Sequence, residues 1–190
     1  YCLRANAHAL ARYAALCQEA GIVPIVEPEV LMDGGHDIDR CAEVTEAALN
    51  ALYDELYLPR VNLDGSILKP NMFISGKKNA VQAGVEEVAD NTVRILKRTV
   101  PSAVPGICFL SGGQSDEEAT AHLSAMNAMF DMPWKLSFSY GRALQAAPLQ
   151  AWSGKKENVA AAQRAFLHRA RMNSLAADGK WTAELERDAA

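Results

Sequence analysis

Lys69 lies between the apolar pair Ile67-Leu68 and Pro70. Proline disfavours helical geometry in the residue before it, so this lysine is expected to close a strand rather than open a helix. An ammonium group is costly in apolar surroundings. Desolvation or a cationic neighbour lowers an amine's pKa and frees it as a nucleophile. The pattern also fits a lysine whose stem is buried while its head reaches water. Ile25-Val26-Glu27-Pro28-Glu29 has the same build. Glu27 and Glu29 share a parity, so an extended backbone turns both carboxylates to one side. Neighbouring carboxylates push their pKa values apart, which suits one to donate protons while the other stays charged. Two solvated loop acids are the plainer alternative.

Two further segments suit an anion. Ser111-Gly112-Gly113 runs into Gln114-Ser115-Asp116-Glu117-Glu118, where Ser115 and Glu118 fit a capping box at a helix start. The paired glycines let backbone amides approach an anion near that helix N-terminus. Ser139-Tyr140-Gly141-Arg142 repeats the arrangement, with a guanidinium that grips phosphate as a fork. Two plain turns with N-caps would read the same way. His36 with Asp33, Asp37 and Cys41 is a poorer metal candidate, because Asp33-Gly34-Gly35 reads as a turn and Asp37 as a helix start. His8, His36, His122 and His168 show no H-E-x-x-H pairing, and no metal site is expected. Arg164, His168 and Arg171 read as the solvated face of a late helix.

The elements that must position these groups alternate. Short apolar strands are expected at Gly21–Val26, Ser66–Leu68, Gly106–Leu110 and Lys135–Phe138. Between and around them run helical stripes: Leu3 to Cys17, Cys41 to Leu56, Val81 to Ile95, Ala119 to Phe130, Ala143 to Leu149 and Asn158 to Leu175. One helix followed by four strand–helix units argues for parallel strands with helical crossovers. Every polar cluster then falls at a strand C-terminus, where such architectures place their sites. An open doubly wound sheet and part of a (β/α)8 barrel both fit. A barrel takes roughly 250 residues, so 190 residues would hold about half of one.

Composition narrows the partners. Hydrophobic residues at 49% and charged residues at 22% fit a globular chain with a sizeable core. A net charge of −4 does not suit a general nucleic-acid or anionic-membrane binder, and no apolar run is long enough to span a bilayer. Four scattered cysteines form no C-x-x-C or dense staple, as expected of reduced thiols in the cytoplasm. The first helix begins at the first residue, which reads as a piece of a longer chain. Residues 1–182 are expected to form the half-barrel unit, and 183–190, where periodicity is lost, the start of a C-terminal tail.

These segments together resemble a known family. GIVPIVEPEVL at 21–31, Ile67-Leu68-Lys69-Pro70-Asn71-Met72, Lys97-Arg98-Thr99-Val100-Pro101, FLSGGQS at 109–115, FSYGRALQ at 138–145 and Ala151-Trp152 before Gly154-Lys155-Lys156-Glu157-Asn158 closely resemble class I fructose-bisphosphate aldolase. The resemblance runs from Tyr1 to about Thr182 with the motifs in order. It implies a (β/α)8 TIM barrel, of which this chain supplies the C-terminal half: strands five to eight with their helices. It implies that Lys69 is the Schiff-base lysine and Glu27 the proton-transferring glutamate, with Glu29 beside it. It implies that Ser111, Gly112 and Gly113 form one phosphate-binding loop and Ser139, Gly141 and Arg142 the other. It further implies a phosphorylated sugar substrate, no metal or other cofactor, a homotetramer, and a place in glycolysis and gluconeogenesis. The family's earlier strands add an aspartate, lysines and an arginine to the site. Its tail ends in a tyrosine, whereas this sequence ends Glu186-Arg187-Asp188-Ala189-Ala190.

The residues fit that chemistry. An amine adds to a ketone, loses water to form an iminium, and the iminium accepts the electrons of the breaking C3–C4 bond. A second expectation, of another class, is a sugar-phosphate-binding or interaction module that keeps the fold without catalysis. A third is a flavodoxin-like regulatory domain, for which the strand-end lysine has no use. Half a barrel by itself leaves two open sheet edges, so little activity is expected of residues 1–190 in isolation.

Overall fold

The structure, a computed structural model, describes residues 1–187. Its elements are α1 (Cys2–Glu19), β1 (Ile25–Val26), α2 (Ile38–Tyr57), β2 (Ile67–Leu68), α3 (Val85–Thr99), β3 (Gly106–Phe109), α4 (Asp116–Met129), β4 (Lys135–Phe138), α5 (Arg142–Trp152), α6 (Val159–Ala177) and α7 (Ala183–Arg187). The strands are parallel and lie in the order β1-β2-β3-β4. That order decides between the two architectures. A doubly wound sheet reverses direction at a switch point. Here each strand adds beside its predecessor, so right-handed crossovers carry every connecting helix over the same face. This is the wall of a (β/α)8 barrel, and the chain forms about half of its ring.

Register sorts the strand residues into two faces. Val26, Leu68, Ile107 and Leu136 stand in one row and are buried beneath the helices. The row one residue on, Glu27, Lys69, Cys108 and Ser137, belongs to the opposite face. That face is open, and Ile25 on it is 42% exposed. The core under the helices is built from Leu49, Leu52, Phe73, Leu96, Ile107, Phe109, Leu123 and Met126, all fully buried. Ala7, Ala11 and Ala14 form the buried stripe of α1, where small side chains let it lie close on α2.

The expected boundaries shift for local reasons. The strand starts at Ile25 rather than Gly21, because Gly21 adopts φ +72 and Ile22 N–H donates to the Cys17 carbonyl at 2.8 Å to close α1. α3 starts at Val85, and Val81 is exposed. α4 carries the capping box expected of Ser115 and Glu118. Asp37 caps α2 by accepting from Arg40 N–H at 2.8 Å. α5 runs on to Trp152 through Pro148. Of the segment read as the start of a tail, Ala183–Arg187 is a short helix, and 188–190 lie outside the described residues.

Candidate active site

Lys69 follows β2 directly. Its backbone N–H donates to the Val26 carbonyl at 2.7 Å, which fixes it beside the end of β1. Its Nζ lies 3.0 Å from Glu27 Oε1, with the side chains 21% and 41% exposed. A nucleophilic amine must lose a proton, and a carboxylate at hydrogen-bond distance is a ready acceptor. Glu29 is exposed and makes no ion pair or side-chain hydrogen bond among the described residues. It borders, with Glu27, an open cavity of about 370 Å³ beneath Leu3 and Leu10 of α1. The structure thus brings Lys69 to Glu27 and leaves Glu29 at the rim.

The two glycine-bearing loops meet. Arg142 donates from a terminal guanidinium nitrogen to the Ser111 carbonyl at 2.8 Å, and Ser111 Oγ accepts from Ala143 N–H at 3.3 Å. Gly113 holds φ +87, a conformation that disfavours other residues. A side chain at Gly112 would place its Cβ 2.3 Å from Met32 Cε, so that glycine also admits the buried Met32. Gly141 is the N-cap of α5 with no side-chain cap and nothing within reach of a Cβ, which leaves the helix N-terminus open to an anion. Ser139 N–H donates to the Phe109 carbonyl at 2.9 Å and extends β4 towards that loop. All of these groups sit at strand C-termini.

Other polar groups support this rim. Asn71, only 2% exposed, accepts from Val30 N–H at 3.0 Å and donates to the Met72 carbonyl at 3.1 Å. Gln114, next to Gly113, reaches Met72 Sδ at 3.1 Å and His122 Nδ1 at 2.7 Å. Burial pushes the His122 imidazole down to about 4, so it stays neutral. Tyr140 stacks on Phe138 and donates to Asn173 Oδ1 at 2.7 Å; burial raises its hydroxyl well above the usual range. Sequence reasoning gave none of Asn71, Gln114, His122 and Tyr140 this supporting role. A polar residue inside Pro70-Asn71-Met72-Phe73-Ile74 was the available signal for Asn71.

The late helix needs a correction. Arg164 and Arg171 are exposed as expected, but His168 is not on a solvated face: its Nε2 lies 2.9 Å from Glu186 Oε2. Arg169, buried at 5%, donates to Glu186 Oε1 at 2.5 Å and to Thr120 Oγ1 at 3.0 Å, and Trp181 Nε1 donates to the same carboxylate at 2.9 Å. Burial alone would raise the Glu186 carboxyl; the bonds from Arg169, His168 and Trp181 outweigh it and hold it below the usual carboxylate range. α7 is thereby pinned to α6. Arg169, Met172 and Ala176 share the buried stripe, and that spacing was the legible signal. Among the described residues no group of three His, Cys, Asp or Glu side chains could hold a metal ion. Asp33 pairs with Lys77 at 3.0 Å instead.

The family model described as fructose-bisphosphate aldolase class-I matches residues 1–190. A probable fructose-bisphosphate aldolase class 1 of Xanthomonas campestris is 60% identical over 95% of this chain and 54% of its own length. The cytoplasmic isozyme of fructose-bisphosphate aldolase from Spinacia oleracea is 58% identical over 93% of this chain and 49% of its own. The solved fructose-bisphosphate aldolase of Plasmodium falciparum, in complex with TRAP and a small-molecule inhibitor, superposes with a TM-score of 0.93 at 50% identity, over 95% of this chain and 52% of that one. The chain spans about half the length of these relatives. With strand ends, loops and sequence in agreement along its whole length, the chain belongs to the class I fructose-bisphosphate aldolase family.

Proposed function

We propose that the complete barrel containing this chain reversibly cleaves fructose 1,6-bisphosphate to dihydroxyacetone phosphate and glyceraldehyde 3-phosphate through a Schiff base on Lys69. The observation that carries the reading is the Lys69 amine 3.0 Å from the Glu27 carboxylate, on adjacent strand ends. Glu27 accepts a proton from the ammonium, and the neutral amine adds to the C2 ketone. Glu27 then returns a proton to the carbinolamine hydroxyl, which leaves as water and gives the iminium. The C3–C4 bond breaks with its electron pair moving into an enamine, while Glu27, again a carboxylate, takes the C4 hydroxyl proton that is later delivered to C3, and C4 becomes the aldehyde of glyceraldehyde 3-phosphate. Protonation of the enamine at C3 and addition of water release dihydroxyacetone phosphate and regenerate the amine.

Ser111, Gly112 and Gly113 with Ser139, Gly141 and Arg142 hold a substrate phosphate, which the meeting of the two loops supports. Glu29 assists from the rim. The route places the electron sink on the lysine and calls for no metal or organic cofactor. The family resemblance extends the reading to a cytoplasmic homotetramer of glycolysis and gluconeogenesis, and the name of the spinach relative agrees on the compartment. Among the described residues no helix is long and apolar enough to cross a membrane. The test is Lys69→Met in the full-length protein, which should abolish cleavage and leave the fold and phosphate binding intact. Cleavage within about tenfold of the parent, a loss far below that expected for a covalent nucleophile, would overturn the assignment. Phosphate binding in a parent that never cleaves would favour a sugar-phosphate-binding module.

A further inference from the structure

We infer that Asn71 is a positioning residue that holds Glu27 against Lys69, an inference that rests on the roles proposed for those two residues. A short parallel ladder joins β1 to β2. Ile67 N–H donates to the Pro24 carbonyl at 3.0 Å and Lys69 N–H to the Val26 carbonyl at 2.7 Å. In an evenly spaced parallel ladder, the residue after Glu27 would next donate to the Lys69 carbonyl. That residue is Pro28, which has no N–H. The ladder therefore ends beside the reacting pair, and both strands are only two residues long.

The next tie between the two segments is a side chain. Asn71 Oδ1 accepts from Val30 N–H at 3.0 Å, across the gap that Pro28 leaves. The amide is itself held, since Nδ2 donates to the Met72 carbonyl at 3.1 Å and to Thr45 Oγ1 of α2 at 3.4 Å. Asn71 is 2% exposed and Thr45 fully buried, so water cannot readily replace these bonds. Glu27 thus lies between two fixed points, the Val26 carbonyl on Lys69 and the Val30 amide on Asn71. Without the second, the Glu27–Glu29 segment is free to swing on its exposed side and the 3.0 Å contact is lost for part of the time. Proton transfer needs that contact and binding of the phosphate group does not, so the two separate experimentally.

The experiment uses the full-length enzyme with dihydroxyacetone phosphate as probe. It compares the rate of borohydride-trapped adduct on Lys69 with the affinity for inorganic phosphate, well below the melting temperature. Asn71→Ala should slow trapping about tenfold or more while phosphate affinity stays within about twofold, as expected when reacting groups lose alignment and not binding. Asn71→Asp keeps an oxygen facing Val30 N–H but, ionised, has no donor for the Met72 carbonyl, so its trapping rate should fall between those of the parent and Asn71→Ala. Asn71→Ser keeps a hydroxyl near α2 but cannot reach Val30, and should match the slow variant even if Asn71→Ala does not fold. A parent that is never trapped would overturn the Schiff-base reading. A trapped parent with undiminished trapping in Asn71→Ala or Asn71→Ser, or equal losses of trapping and phosphate affinity, would overturn this inference alone.

Discussion

Replacing Arg142 with alanine separates phosphate recognition from carbonyl chemistry. In the structure its guanidinium spends one donor on the Ser111 carbonyl at 2.8 Å, and the remaining N–H groups stay available at the mouth of the α5 N-terminus. A charge-assisted hydrogen bond is worth about 1.5–3 kcal/mol. Arg142 is exposed, so the lower half of that range applies, and at 1.4 kcal/mol per decade the loss is roughly ten- to fortyfold in affinity. Freeing the Ser111 carbonyl adds to this by loosening the loop that carries Gly112 and Gly113. Arg142→Lys keeps the charge without the fork and should fall between. The assay is borohydride trapping in the full-length enzyme, titrated with dihydroxyacetone phosphate and, separately, with dihydroxyacetone. The phosphorylated ketone should lose its half-saturation advantage while the unphosphorylated one is nearly unaffected. Equal losses for both would refute the reasoning and make Arg142 a structural residue.

Glu27→Gln should slow trapping on Lys69 by about a hundredfold or more, the scale of positioned proton transfer, with inorganic phosphate affinity unchanged in calorimetry. Arg169→Met leaves the Glu186 carboxylate, 9% exposed, without its main partner and should cost about 3 kcal/mol in urea unfolding, at the low end for a broken buried pair because His168 and Trp181 remain. Because the folded Glu186 titrates below its unfolded value, the parent holds this stability above the ordinary carboxylate range and loses it as pH falls, and the variant should show a shallower acid loss. His122 titrates at about 4 when folded against 6.5 for a free imidazole, so it draws stability away as pH falls from 6.5 towards 4, by about 3 kcal/mol in all. His122→Gln should flatten the acid limb in that window, and an unchanged limb would mean that other groups set it.

Much of the fold was legible because the strands are apolar and buried on one face, while each helix shows its stripe. Ile107, Leu123 and Val88 lie where their periods put them. Periodicity alone left the barrel and the doubly wound sheet open, since strand order is a long-range property that local pattern does not encode, and it was the family resemblance of the motifs that chose the barrel. Lys69 and Glu27 could be singled out because Pro70 and Pro28 mark the strand ends, but their 3.0 Å contact depends on the register of β1 on β2. Glu29 shares a parity with Glu27, yet only Glu27 pairs with Lys69, while Glu29 stays exposed at the rim. Arg169 was hidden because a charged residue on a helix normally marks the solvent side. Here its partner Glu186 arrives from a segment whose own pattern had faded.

The central claim is that the amine of Lys69 forms the covalent bond to substrate. The direct measurement is to incubate the full-length enzyme with dihydroxyacetone phosphate, reduce with borohydride, digest, and locate the added mass by tandem mass spectrometry. One reduced adduct is expected on the peptide that carries Lys69, and none in Lys69→Met. An adduct on another lysine, or no adduct in an enzyme that cleaves fructose 1,6-bisphosphate, would contradict it.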